Sequence, residues 1–147
     1  MANQDLTEAT EAAIRSMIAS WAQGIRAKDG ARVGAHLAQD LVQFDFAPPL
    51  RTTGPNLQGL QDWFGTWRGR IGYEITDLHV AASDDLAFCH CLIHMTGSRT
   101  DDSESDVWFR STLCLRKAGG VWKIAHSHES VPMHMDGSLR AAIDLKP

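Results

Sequence analysis

The 147-residue chain contains one tyrosine, five prolines and three cysteines, and each scarcity excludes something. No apolar run approaches the roughly eighteen residues that a membrane-spanning helix requires, so a bilayer is not an expected environment. Lys and Arg total 14 against 18 Asp and Glu, a net charge of −4. The cations nowhere gather into the stripe that phosphate backbones attract, so nucleic acid is not an expected partner. The opening MANQDLTEAT carries neither a basic cluster nor an apolar signal segment, which predicts a cytoplasmic protein. Cys89, Cys91 and Cys114 are odd in number and sit inside apolar runs, so reduced thiols packed as small hydrophobes are expected rather than disulfides.

What is present suits one domain over residues 1–147. With 44% hydrophobic and 22% charged residues the composition is neither disordered nor fibrous, and a chain of this size buries about two-thirds of its unfolded surface. Ala9, Ala13, Ile14, Met17, Ile18, Trp21 and Ile25 recur at three and four, predicting a helix over 7–28 with Thr7 as its cap. A second helix is predicted about 31–37, then a strand over 41–46 halted by Pro48-Pro49. A third helix is predicted over 55–68, with Leu57, Leu60, Trp63, Phe64 and Trp67 on one face. After Gly69 the runs 71–82, 86–99, 105–117 and 121–131 read as strands divided by short polar or glycine turns, hence an antiparallel meander. Helices first and a long-stranded sheet afterwards is α+β, with the helices over one sheet face. The tail, 133–147, reads as short helical or irregular structure.

This order of elements has two sequence features attached to it. One is the closing Gly120-Val121-Trp122-Lys123-Ile124-Ala125-His126-Ser127-His128-Glu129-Ser130-Val131-Pro132, and the other is Phe44-Asp45 ahead of Pro48-Pro49-Leu50. Together they resemble the nuclear transport factor 2-like superfamily, specifically its SnoaL-like and ketosteroid-isomerase-like members. The resemblance implies a cystatin-like, cone-shaped barrel in which a strongly bent antiparallel sheet wraps around the long N-terminal helix. It also implies a pocket between helices and sheet, and a homodimer formed through the outer sheet face. A related ending occurs in the association domain of calcium/calmodulin kinases, an assembly module without enzymatic activity, so the ending marks a fold more than a reaction.

Asp45 interrupts an apolar strand between Phe44 and Phe46. A carboxylate desolvated among aromatics has its pKa raised toward that of a useful general base; the alternative is a strand-end carboxylate that accepts backbone or Arg51 hydrogen bonds and shapes the turn. The resemblance puts Asp45 where ketosteroid isomerases carry their base. Their oxyanion donors, a first-helix Tyr and a protonated late-strand Asp, are replaced by Trp21 and by Ser111, Thr112 or Leu113. Each lost donor costs about a hundredfold or more, so steroid isomerisation by that route is not expected, while proton abstraction beside another carbonyl stands.

Strict alternation puts Phe88, His90, Leu92 and His94, then Trp108, Arg110, Thr112 and Cys114, then Trp122, Ile124, His126 and His128 on one sheet face, with His94, Arg110 and His128 in one row and His126 beside it. That polar row supports three readings: a metal site, the dimer contact, or a pocket wall in which Arg110 holds an anion. His-x-His spacing without a matching carboxylate argues against the first, and no metal or cofactor is expected. The opposite face, more apolar, offers Ser111, Ser127 and Glu129 as its polar points. The candidate pocket lining is therefore Met17, Phe44, Trp63, Phe64, Trp67, Ser111 and Ser127, and the candidate catalytic residues are Asp45, Trp21 and Glu129. The expected ligand is a small hydrophobic molecule. Three functions remain open: a cofactor-independent isomerase or cyclase acting by proton transfer on a carbonyl compound, a non-catalytic ligand-binding or dimerisation module, and an epoxide-hydrolase or hydratase-like enzyme needing Asp45, Glu129 and Arg110 around one water.

Overall fold

The computed structural model describes residues 1–147. In chain order its elements are α1 (Ala2–Ala27), α2 (Gly30–Ala35), β1 (Leu37–Phe44), β2 (Thr52–Thr53), α3 (Leu57–Phe64), β3 (Trp67–Ala82), β4 (Leu86–Arg99), β5 (Glu104–Ala118) and β6 (Val121–Ser130). On α1 the buried positions Ile14, Ile18, Trp21 and Ile25 form one stripe that faces the sheet. Arg26 Nε donates to the Tyr73 carbonyl at 2.8 Å and Lys28 Nζ to that of Trp67 at 3.0 Å, fastening the helix end to β3. The helix begins earlier than its apolar period suggests. Thr7 is not a cap: its hydroxyl donates back to the Asn3 carbonyl at 2.8 Å, one turn earlier in the same helix. The real side-chain caps are Asp29 on α2 and Asn56 on α3, each accepting a backbone N–H at 3.0 Å.

The third helix stops at Phe64, four residues short of the predicted end. Thr66 Oγ1 donates to the Trp63 carbonyl at 2.7 Å and closes the last turn, so Trp67 opens β3 instead of extending the helical face. It is buried all the same, at 2% exposure.

The sheet order is β2-β1-β6-β5-β4-β3. β3 to β6 form the antiparallel meander, and Gly119 and Gly120, with φ of 58° and 78°, make the two-residue turn between β5 and β6. β6 then lies parallel to β1. The sheet is thus mixed, curved and open, with β2 and β3 as free edges.

A register shift in β6 decides what faces inward. Cys114 pairs with His126 while Leu115 pairs with Ile124, so Ala125 is an extra residue on the β6 side. Before the bulge Trp122 and Ile124 point into the core, at 7% and 1% exposure. Beyond it the parity reverses, with Ser127 buried and His128 exposed. The expected outer set of Trp122, Ile124, His126 and His128 is therefore split by one inserted residue. The tail past β6 is irregular, folded on itself by a bridge between Met133 and Ala141 and by a His134–Asp144 contact at 2.8 Å.

Candidate functional site

A cavity of about 390 Å³ opens between the concave sheet face and the helices. Trp21 and Ile25 of α1, Val33 of α2, Leu60 and Trp63 of α3, and Tyr73, Met95, Phe109, Leu113 and Ile124 of the sheet supply its apolar walls. The segment from Asp45 to Pro49 crosses the mouth, where Phe46 packs edge-on against Phe109 with ring centres 5.4 Å apart. Polar atoms are few: Gln43, Asp45, Thr52, Asn56, Tyr73, Ser127 and Glu129. Gln43 and Ser127 satisfy one another, the amide donating to the hydroxyl at 3.2 Å. No Lys, Arg or His lines the cavity.

Trp21, Asp45 and Glu129 thus meet at one cavity, and Trp63 and Ser127 line it with them. Met17, Phe64, Trp67 and Ser111 do not: Phe64, Trp67 and Ser111 are core residues at 1–2% exposure, and Met17 packs beside them. Phe44 lies on the other side of the sheet, edge-on to His126 at 4.8 Å and His128 at 5.4 Å, because strand alternation turns it outward.

The two carboxylates experience different surroundings. Asp45 is exposed at the mouth rather than desolvated between its two phenylalanines, which are themselves exposed; as in the alternative reading of a strand-end carboxylate, one oxygen accepts a backbone N–H, that of Phe46 at 2.7 Å. Glu129 reaches inside. Burial pushes its carboxyl up to about 8, the nearby Asp45 charge adds to the rise, and a hydrogen bond with the Tyr73 side chain opposes it. At neutral pH the Glu129 carboxyl therefore keeps its proton. The Tyr73 phenol is itself raised well above its ordinary value, first by burial and then by the charges of Glu129, Cys91 and Asp45. Tyr73 is the one cavity residue with acid–base chemistry that the sequence argument leaves out. Its signal was available, since Ile71 and Tyr73 alternate inward along β3 and no other tyrosine exists.

Residues 14–134 match the SnoaL-like domain family. The chain is a SnoaL-like protein. No curated protein matches it. An NTF2-like protein of unknown function from Pseudomonas putida KT2440 is 32% identical, over 95% of this chain and 98% of that one, with a TM-score of 0.85. A Novosphingobium aromaticivorans protein provisionally named scytalone dehydratase is 18% identical over 97% and 95% of the two chains, with a TM-score of 0.78. The association domain of the C. elegans calcium/calmodulin-dependent protein kinase II is 15% identical over 86% and 99%, with a TM-score of 0.69. These last two show a shared fold. Trp21, Asp45, Tyr73 and Glu129 all fall within the SnoaL-like match.

On the outer face of the SnoaL-like domain the expected row of His94, Arg110 and His128 is not assembled. His94 pairs with Trp108, Arg110 with Leu92 and Ser130, and His128 with Thr112 and thence His90. The rows are offset because the turn lengths and the Ala125 bulge set the register, not strand order alone. His94, Arg110 and His126 each have a local partner. His94 stacks on Trp108 at 4.4 Å and meets Asp106 at 2.7 Å. Arg110 donates to the Ser130 hydroxyl at 3.2 Å, and His126 Nδ1 donates to the Val42 carbonyl at 2.7 Å. Arg110 is separated from the cavity by the thickness of the sheet, so Asp45, Glu129 and Arg110 do not converge.

Proposed function

We propose that the cavity binds a small, uncharged, largely apolar carbonyl compound and transfers a proton on it without a cofactor. The observation that carries this reading is that Asp45 at the mouth and Glu129 inside line one apolar cavity without a cation, where burial pushes the Glu129 carboxyl up to about 8. Asp45 is the base, able to take a proton from a carbon beside the carbonyl. Glu129, protonated at pH 7, donates to the oxygen on which negative charge gathers, and the Trp21 indole N–H is a second donor on the cavity wall. A neutral carboxylic acid in an apolar site is an established route to oxyanion stabilisation; here it would substitute for the late-strand carboxyl that ketosteroid isomerases use. The cavity volume falls in the range that takes small organic ligands, and the all-acidic set of ionisable groups disfavours anions.

The test is hydrogen–deuterium exchange at the activated carbon of neutral enones and 1,3-dicarbonyls, followed by NMR in D2O. Protein-dependent exchange is expected, falling about a hundredfold or more in Asp45→Asn. Exchange that survives Asp45→Asn unchanged removes the base assignment, and tight binding without any exchange favours a purely ligand-binding role. An epoxide-hydrolase-like mechanism is not favoured, since the Arg110 it would use lies on the opposite face. We also assign a second copy of the chain to the outer sheet face, where Phe88 is 52% exposed opposite Cys114 and beside His90. Sedimentation showing only monomer at micromolar concentration would remove that assignment.

A further inference from the structure

Two buried side-chain polar atoms lack a hydrogen-bond partner, Trp67 Nε1 and Ser111 Oγ. The first lies beneath the stacked Arg99 guanidinium, away from the cavity walls. The second is placed differently. On the inner face Cys91, Ser111 and Glu129 are direct cross-strand neighbours along one row of β4, β5 and β6, and side chains so paired have Cβ atoms about 5 Å apart. Ser111 stands immediately behind the acid of the cavity, at 2% exposure, with an unused hydroxyl. An unpaired buried hydroxyl is costly to keep, and an alanine would fit the same space without that cost.

We infer that Ser111 is a positioning residue for Glu129: its hydroxyl, idle while the carboxyl holds its proton, turns to donate a hydrogen bond to the carboxylate once that proton has left. The surroundings leave little else to do this. Asp45 at the end of β1 repels the new charge, and Tyr73 of β3 offers one hydroxyl. Cys91 of β4 is a weak donor whose thiol burial pushes up to about 12. Arg26 of α1 is committed to the Tyr73 carbonyl and the Gln23 side chain, and no cation lines the cavity. A hydroxyl can serve both states because it rotates, whereas a fixed cation would hold Glu129 ionised throughout and remove its use as an acid. Ser111 thus makes proton donation reversible, stabilising the spent acid until it is recharged.

The inference rests on Glu129 being the cavity's proton carrier, as proposed above. It is tested by NMR titration of side-chain-labelled glutamate in the wild type, Ser111→Ala and Ser111→Cys, with thermal unfolding of each from pH 5 to 10. Loss of the donor should raise the Glu129 midpoint by about one unit in Ser111→Ala, with Ser111→Cys, a weak donor of similar size, in between. Ser111→Ala should match or exceed the wild-type unfolding temperature at pH 6, where the hydroxyl is unpaired, and fall below it near pH 10. A wild-type midpoint near 8 that Ser111→Ala leaves in place, or a stability difference that does not vary with pH, overturns the role of Ser111 alone. A wild-type Glu129 that titrates with ordinary carboxylates overturns the proton-carrier reading and this inference with it.

Discussion

The two faces of β4, β5 and β6 arise from one alternation, yet they treat polar groups in opposite ways. Outside, polar side chains are numerous and mutually occupied: His94 has Asp106, Arg110 has Ser130, His126 has the Val42 carbonyl. Inside they are sparse and under-supplied, with Ser111 unpartnered and the Glu129 carboxyl pushed up to about 8, chiefly by burial. A polar group with its partners in place is chemically quiet, and one that lacks them is poised to react or bind. Polar residues are more numerous on the outer face, whereas the unpartnered Ser111 hydroxyl and the raised Glu129 carboxyl lie on the cavity side.

The two faces are told apart most strongly by truncating one residue on each. Ile93→Ala, at 0% exposure on the inner face, is expected to lower stability by about 2–5 kcal/mol, whereas Thr112→Ala, exposed on the outer face, should change it by less than about 0.5 kcal/mol. Urea unfolding reads both, and comparable losses would show that the outer face is packed too.

The second way is through pH. Glu129 has a folded-state pKa of about 8, above its unfolded value of about 4.5. The folded protein therefore holds a proton that the unfolded chain releases sooner, and the stabilisation is complete below pH 4.5 and fades until pH 8 is passed. Glu129→Gln cannot ionise, so it should match the wild type at pH 4.5 and unfold at a higher temperature than the wild type at pH 9. Parallel stability curves for the two proteins would mean that Glu129 is solvated. The smallest effect belongs to the outer face: Asp106→Asn removes the carboxylate beside His94 in a half-exposed pair and should cost no more than about 1 kcal/mol. A larger loss in a double-mutant cycle would mean that outer-face contacts also hold the fold together.

Most of the architecture is legible in the sequence because long periods average over local error. The α1 stripe and four strand runs survive a misplaced cap at Thr7 or a helix end misjudged at Trp67. The site is less forgiving. Asp45 stands out because a carboxylate is anomalous between two phenylalanines. Glu129 can be named from its strand, but whether it faces in or out hangs on one residue, Ala125, and small residues that make bulges leave no periodic trace. Tyr73 shows its inward place by alternation with Ile71, but its relation to Glu129 comes from the fold and not from the chain. The relation between Asp45 and Glu129, which adds to the rise that burial gives the Glu129 carboxyl, joins two strand ends that only the folded register brings to one cavity.

The position of β6 in the sheet has a consequence for how the protein comes into being. β1 waits for a partner that follows 84 residues later, as the bond between His126 and Val42 records, and a sheet completed by so distant a contact closes slowly. Until β6 slots between β1 and β5, both strands present bare edges, the condition under which growing chains pair with the wrong neighbour. The strand that seals those edges also carries Glu129 and Ser127 into the cavity. A half-built chain can therefore be sticky but cannot place Glu129 in the cavity: the cavity gains that carboxyl in the same event that pairs the inner edges of β1 and β5.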